Sequence, residues 1–304
     1  MPPGQPPKIS LRDILAKVDN LPSIPEAALR LSRMMEDPNV NAEKLANVIR
    51  VDATMTSHVL RLCNSAAYGF SRRIQTVKEA VAILGMNTLR SIVYIIISKF
   101  ALDRSVPGYG LSRGSLWLNA ITCAVYAKHL AEQRRLIDPE LAFTGALLRD
   151  IGKIILGEYV GPNYANIEAL TSQKKIDFVA AEEEVLGINH VMVGMKVAEH
   201  WNLPESLVKV IRYHHSPSQL KKEAILDKKL PPLVAYVHLA DAFSMMVGSG
   251  VGSDGMMYSL DLEALKEIQV VPDQLYLDLT LAKLIDLQHI IDSFTESMNN
   301  IEVS

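Results

Sequence analysis

Leu147-Leu148-Arg149-Asp150-Ile151-Gly152-Lys153 places charged residues inside a strongly apolar helical run. The run begins at Asp138-Pro139, an N-cap followed by proline at the first helical position, and is predicted to continue to Ile155. Burying a charge in such a helix is costly unless the charge is paired or bound to a metal. The segment therefore predicts a helical core with a polar site inside it.

Helix signals of the same kind recur along the whole chain. Thr76-Val77-Lys78-Glu79 is a capping box, and Gly85 ends the run that follows it. Asp177 opens a run that ends at Gly187, and Pro204 opens another that ends at Ser216-Pro217. Because no alternating strand pattern with hairpin turns accompanies these runs, the sequence predicts an all-α fold.

Composition agrees with packed helices and indicates one large domain or two closely packed ones. The 304 residues are 49% hydrophobic but only 6% aromatic, so the core must consist mainly of aliphatic side chains. Cys63 and Cys123 stand in no paired motif and are predicted to be buried thiols in a reducing compartment. The run Met1–Lys8 lacks the apolar core of a signal peptide. A cytoplasmic location is the resulting expectation.

The longest apolar run, Ile92–Ile97, is far shorter than the ~20 residues of a membrane span, so no membrane contact is expected. Its β-branched residues favour a strand, but the run continues a helical pattern from Asn87 and is predicted to be a buried helix. The formal net charge of -3 makes nucleic acid an unlikely partner. A local basic bias comprises Arg50, Arg61, Arg72, Arg73, Lys78 and Arg90. A solvated helical face is the favoured interpretation, and a surface for nucleic acid or nucleotide is the alternative.

Five polar residues interrupt or end helices that otherwise look like core: Asp150, His190, His214, His215 and Asp241. Neighbouring residues of a helix point about 100° apart, so His214 and His215 would not normally share a target. Pro217 disfavours helix just before it, and at a fraying end both rings could turn toward one site. A shared polar cluster and a set of separate hydrogen-bonded core residues both remain open.

Two further segments follow this cluster. Gly248–Gly255 is rich in glycine but follows no strand, so a flexible connection is favoured over a phosphate loop. Leu281 to Met298 carries apolar residues at three- and four-residue spacing, which predicts an amphipathic helix. Docking onto the chain's own core is favoured over docking on a partner.

The chain resembles a known family. Leu147–Lys153 resembles the LLHDIGK helix of HD-superfamily phosphohydrolases, with Arg149 in place of the histidine. Other segments resemble the HDOD family specifically, namely Leu21–Pro25, Ile49–Asp52, Val59–Ser65, Ile74–Ala80, Leu84-Gly85, Glu184–His190, Gly194, Trp201–Pro204 and His214-His215. The similarity runs from about Leu21 to Pro217, and Asp241 extends it into the pattern of the related HD-GYP branch.

The resemblance implies descent from a metal enzyme that hydrolyses phosphodiesters, commonly cyclic di-GMP in the HD-GYP branch. By this resemblance, the metal-ligand positions of the enzymes correspond to Asp150, His190, His214, His215 and Asp241. Two further ligand positions, which are histidines in active relatives, hold Asn119 and Arg149. The Gly-Tyr-Pro signature is also missing after His215, where Ser216-Pro217-Ser218 stands.

These two departures predict that the chain is not an enzyme. A guanidinium has no lone pair to donate, and its charge repels a divalent ion about 4 Å away by roughly 8 kcal/mol at an effective dielectric of 20. We therefore expect Arg149 to replace the metal by pairing with Asp150 or Asp241, and we expect no cofactor. A partial site holding residual Fe, Mn, Zn or Ni is the alternative. Arg149 and Lys153 are also candidates to contact an anion such as a nucleotide.

The resemblance further implies an HD-domain-like, multi-helix fold with an N-terminal helical subdomain. The expected units are an extension over 1–20, an HDOD domain over 21–217 with halves of about 21–105 and 111–217, and a helical extension over 218–304 that completes the core. The expected function is a regulatory module in bacterial signal transduction that binds signalling proteins. A residual phosphodiesterase and a helical nucleic-acid-binding domain are the alternatives, and a homodimer remains open.

Overall fold

The computed structural model describes residues 9–18, 26–35, 37, 40–70, 72–220, 227–255, 257–270 and 281–299. Within these ranges there is no β-strand, only one isolated bridge between Val106 and Leu111. The predicted all-α class is therefore confirmed. The Leu21–Pro25 motif and the Met1–Lys8 run lie outside the described residues.

The α-helices follow one another as α1 Leu11–Val18, α2 Glu26–Met34, α3 Ala42–Val51, α4 Ala53–Cys63, α5 Val77–Leu102, α6 Ser115–Arg134, α7 Pro139–Leu148, α8 Lys153–Lys174, α9 Phe178–Leu186, α10 His190–His200, α11 Glu205–Tyr213, α12 Pro217–Leu220, α13 Leu230–Met246, α14 Leu262–Leu265 and α15 Leu281–Asn299. Short 3-10 turns lie at Ala66–Tyr68, Pro107–Tyr109 and Lys266–Ile268. These bounds agree with the predicted starts at Thr76, Asp138 and Asp177, whose side chains each accept a hydrogen bond from the backbone of the first turn.

Helix α5 connects the N-terminal helices to the rest of the core. Helices α2, α3 and α4 pack on it, and so do α6 and α7. Gly85 interrupts the helix with φ of 76°, in the left-handed region that favours glycine, as its predicted role as a helix stop requires. By length and composition α5 is the one described helix that could cross a membrane. Its Ile92–Ile97 run is fully packed inside the protein, which accounts for that apolar character.

The C-terminal half is built around α7, which packs against α6, α11 and α13. The prediction of one continuous helix from Asp138 to Ile155 was wrong, because α7 ends at Leu148 and α8 begins only at Lys153. A turn over 149–152 separates them. Gly152 allows this turn to press directly against the start of α10, because a Cβ atom there would lie 1.9 Å from the carbonyl oxygen of His190.

The C-terminal helix α15 docks on its own chain. Leu287, Ile291, Phe294 and Met298 are buried, and the hydroxyl of Ser293 accepts a hydrogen bond from the Ala67 backbone at 2.9 Å. The helix contacts α4, α6 and the Ala66–Tyr68 turn. It therefore joins the N-terminal helices to the C-terminal half.

Candidate functional site

Four of the five predicted site residues converge. Asp150 lies in the turn between α7 and α8, His190 begins α10, and His214 and His215 directly follow α11. One ligand atom from each of these residues lies within 4.8 Å of the others. Asp241, from the middle of α13, stands at the side of this group with its Oδ2 atom 3.7 Å from Nδ1 of His215.

The end of α11 allows both neighbouring histidines to face one site. The helix ends at Tyr213, and His214 is held by a hydrogen bond between its Nδ1 atom and the Ile211 carbonyl at 3.0 Å. The two ring centroids lie 4.1 Å apart, and the centroid of His190 lies 5.1 Å from that of His215. Of the two alternatives left open by the sequence, the geometry thus shows a shared cluster and not separate core residues.

Glu182 orients His190 and was not singled out from the sequence. Its Oε2 atom lies 2.8 Å from Nδ1 of His190 and accepts the His190 backbone N–H at 2.9 Å. Tyr109 donates its hydroxyl to the other oxygen at 2.5 Å. The Nε2 atom of His190 is thereby directed toward Asp150, whose Oδ1 atom is 3.7 Å away. The sequence signal that could have revealed Glu182 is its place as an acidic residue on the apolar face of α9, between Phe178 and Leu186.

Arg149 lies at the centre of the acidic group and is 0% exposed. Its Nε atom donates to Oδ1 of Asp241 at 2.8 Å, and an Nη atom lies 3.2 Å from Oδ2 of Asp150. The same guanidinium donates to the Asn119 side-chain oxygen, and the amide nitrogen of Asn119 is anchored on the Ser249 carbonyl at 2.9 Å. Burial opposes the charge, but the carboxylates of Asp241 and Asp150 outweigh it and raise the pKa of Arg149. The expected pairing is therefore present with both aspartates.

Lys153 is the second buried cation. Its Nζ atom lies 3.1 Å from Oδ1 of Asp150 and 2.8 Å from Oδ2 of Asp254. The same Nζ atom lies over the rings of Tyr109 and Tyr258, 5.5 and 5.3 Å from their centroids. Burial disfavours its charge, but the carboxylates raise its pKa. Arg149 and Lys153 are both buried and both face carboxylates, so the geometry favours a role in neutralising these carboxylates. The contact of the two residues with an anion stays a prediction.

The glycine-rich segment covers the site rather than forming a loose connection. Ser253 donates its backbone N–H to the Tyr109 carbonyl at 2.7 Å, and a Cβ atom on Gly252 would lie 2.3 Å from that same oxygen. Asp254 follows and reaches Lys153. Beyond it, Tyr258 stacks on His215 at 4.0 Å with 9° between the ring planes. The expected flexible connection is thus packed, because its glycines permit close backbone approach.

The centre contains polar atoms that lack hydrogen bonds: both carboxylate oxygens of Asp150 and the Nε2 atoms of His190, His214 and His215. The Asp150 oxygens have cations within 3.2 Å, yet the angles do not meet hydrogen-bond geometry. Burial and the neighbouring histidines lower the pKa of His215, so its imidazole is kept in the neutral form that binds metals.

The charges of the buried groups also favour a bound cation. Two buried cations, Arg149 and Lys153, face four buried carboxylates, those of Asp150, Glu182, Asp241 and Asp254. The carboxylates thus outnumber the arginine and lysine cations by two, and one divalent cation would offset that difference. Three imidazole nitrogens and a carboxylate suit Zn, Fe, Mn or Ni. The residues fit one such ion. They do not fit two, because the Arg149 guanidinium, which has no lone pair to donate, already lies against Asp150 and Asp241.

The remaining histidines behave as structural residues where the structure describes their contacts. His238 is buried, with its Nδ1 atom 2.6 Å from the His214 carbonyl and its Nε2 atom accepting the Asp261 backbone N–H at 2.8 Å. It therefore supports the backbone that carries the histidine pair. His58 is buried against Phe100, away from the site.

Comparisons with known proteins agree with this arrangement. The HDOD domain model matches residues 21–217. An HDOD domain protein of unknown function from Geobacter sulfurreducens has a similar structure, with 26% identity, a TM-score of 0.66 and 96% of each chain covered. A Shewanella amazonensis SB2B protein, provisionally named as a phosphohydrolase, shares the fold at 24% identity and a TM-score of 0.67, covering 94% of this chain and 97% of that one.

A relative among curated proteins is an uncharacterized protein of Treponema pallidum (strain Nichols). It is 24% identical over 234 residues, which are 76% of this chain but only 44% of that protein. The chain thus spans less than half the length of this relative.

Proposed function

Because the chain belongs to the HDOD family, we propose that it is a regulatory module of bacterial signal transduction that binds partner proteins and does not hydrolyse phosphodiesters. HDOD and HD-like domains share one helical scaffold, and the chemistry depends on the residues placed on it. Here those residues include a buried arginine at the centre of the ancestral metal site.

The closed, arginine-filled centre is the observation that carries this proposal. Hydrolysis by an HD-like site needs metal ions with an open position for water and room for a phosphodiester. The Arg149 guanidinium instead pairs with Asp241 and Asp150 and is 0% exposed. The loop that carries Asp254, together with Tyr258, covers Lys153 and His215. A substrate of cyclic-dinucleotide size would have to displace both.

A second candidate is a residual phosphohydrolase with a single metal ion. It is favoured by the donor atoms of Asp150, His190, His214 and His215, which lie together without hydrogen bonds. A divalent ion held there would polarise a phosphoryl oxygen and lower the pKa of a bound water. Glu182 would keep the Nε2 atom of His190 available as a ligand. The same ion without substrate access would serve structure alone.

Metal content and turnover, measured on the same preparation, separate the two candidates. The protein is purified without chelator or histidine tag, analysed by elemental mass spectrometry, and assayed with bis(p-nitrophenyl) phosphate and cyclic di-GMP with added Fe²⁺, Mn²⁺, Zn²⁺ or Ni²⁺. We expect at most one equivalent of metal and no turnover. Turnover that disappears in an Asp150→Asn variant would refute the regulatory proposal.

The double variant Asn119→His/Arg149→His is the matched positive control. It places histidines where the resembled enzymes have them, so we expect its metal content to rise above that of the unmodified protein. An unchanged content would contradict the view that Arg149 takes a ligand position. Size-exclusion chromatography with light scattering tests the homodimer, and cross-linking pull-downs from cells of the source organism test for signalling partners.

A further inference from the structure

A polar cavity of about 950 Å³ lies away from the metal-type site, between α4, the segment that leads into α5, and the end of α15. Three arginines line it: Arg61 from α4, and Arg72 and Arg73 from the connecting segment. Among the described residues that line it, none is acidic. A cavity of this size accommodates a ligand as large as a nucleotide.

The wall that carries the arginines is held in place by one side chain. Asn64 donates to the Ile74 carbonyl at 2.9 Å and accepts the Ile74 backbone N–H at 2.7 Å. It also donates to the Leu60 carbonyl at 2.7 Å. These bonds fix the segment of Arg72 and Arg73 against the end of α4, where Arg61 lies. The backbone that carries Arg72 and Arg73 is thus fixed beside Arg61, and all three arginines border one space.

Polar atoms in this wall lack partners. The Nη1 atom of Arg61 and the hydroxyl of Ser65 are both buried without a hydrogen bond, and Ser65 is only 8% exposed. Leaving a buried donor unpaired costs free energy, and more so when the donor is charged. Arg72 lies 3.2 Å from Glu79, so one acidic group offsets part of the charge from outside the lining. The cavity therefore has an excess of positive charge and unused donors, which suits an anion.

Phe70 adds an apolar surface to the same cavity and is 38% exposed. Aromatic faces next to guanidinium groups are a common arrangement for stacking a nucleobase while the phosphates are neutralised. We propose that this cavity, the arginine cavity, binds a nucleoside polyphosphate, with its phosphates on Arg61, Arg72 and Arg73 and its base on Phe70. This site is independent of the proposed function, since none of its residues belongs to the metal-type site.

Isothermal titration calorimetry of the full chain with ATP, GTP, inorganic triphosphate and a single-stranded 12-mer DNA tests the proposal. We expect a nucleotide to bind, with an affinity that falls as salt rises. Arg73→Gln and Arg61→Gln should each weaken binding about tenfold or more. Phe70→Ala should weaken nucleotide binding about tenfold and leave triphosphate binding unchanged. Arg50→Gln is the matched control, since Arg50 lies in the same basic stretch but outside the cavity, and it should leave binding unchanged.

Three outcomes would overturn the proposal. One is the absence of heat with every nucleotide up to 1 mM, measured on protein whose unfolding transition is intact. Another is equal affinity for triphosphate and nucleotide with no effect of Phe70→Ala, which would remove the base from the site. The third is DNA that binds more tightly than any nucleotide and is lost in the same variants, which would make the cavity part of a nucleic-acid surface. Because Arg73 is exposed, Arg73→Gln keeps the test valid if Arg61→Gln impairs folding.

Discussion

Replacing Arg149 by alanine removes the cation that balances two buried carboxylates. Its nitrogen atoms approach Asp241 to within 2.6 Å and Asp150 to within 3.2 Å. At an effective dielectric of 20 these contacts correspond to attractions of roughly 6 and 5 kcal/mol. Desolvation of the guanidinium offsets several kcal/mol of this sum. A net loss of about 3–5 kcal/mol in the free energy of unfolding follows, in the range seen when a buried pair loses one partner.

Urea unfolding followed by circular dichroism at 222 nm measures this loss, with EDTA present so that a metal ion cannot occupy the vacated space. In a thermal melt of the same samples we expect the melting temperature to fall by about 6–10 °C. Arg113→Ala is the matched control, because Arg113 is 63% exposed and lies 3.5 Å from Asp103. Loss of such a surface pair should cost under about 1 kcal/mol.

A double variant tests the cause of the loss. If the cost of Arg149→Ala comes from the unbalanced carboxylate, adding Asp241→Asn should recover part of the stability, since the neutral amide no longer needs a cation. The reasoning is refuted if Arg149→Ala costs no more than the Arg113 control. It is also refuted if Asp241→Asn adds a further full loss, since the two residues would then act independently.

Two further predictions rest on buried titratable groups. Burial lowers the pKa of His58, His215 and His238, so the unfolded chain takes up more protons than the folded one below about pH 6.5. The contribution of these groups to the free energy of unfolding should be fully present above that pH and should decline below it, by up to about 1.4 kcal/mol per pH unit for each group. Equal melting temperatures at pH 7.5 and 5.5 would contradict this prediction. Burial also raises the pKa of Cys63 to about 12 and that of Cys123 above its ordinary value. About one Cys63 thiol in ten thousand is then ionised at pH 8, so DTNB should label both cysteines only in denaturant, and labelling of the native protein within minutes would disprove the burial.

The sequence alone determined the helical class and most helix starts, because these depend on local signals. Capping side chains such as Asp138 and Asp177 act within a few residues of their own position, and so does the glycine stop at Gly85. The candidate ligands were also recognisable, since a polar residue in an apolar helix has a high cost wherever it lies. The Ile92–Ile97 run was assigned to a helix through its neighbours.

Tertiary structure decided the features that depend on residues distant in sequence. At the break after Leu148 the turn packs against α10, which begins 38 residues after Gly152, and no local pattern around Asp138 reveals this contact. Glu182 and Asp254 enter the site from separate segments. The glycine-rich loop covers the site only because the Tyr109 carbonyl accepts the backbone N–H of Ser253. Charge balance is likewise a property of the assembled core. The sequence supplied the charged groups, but only folding brought two cations and four carboxylates to one buried place.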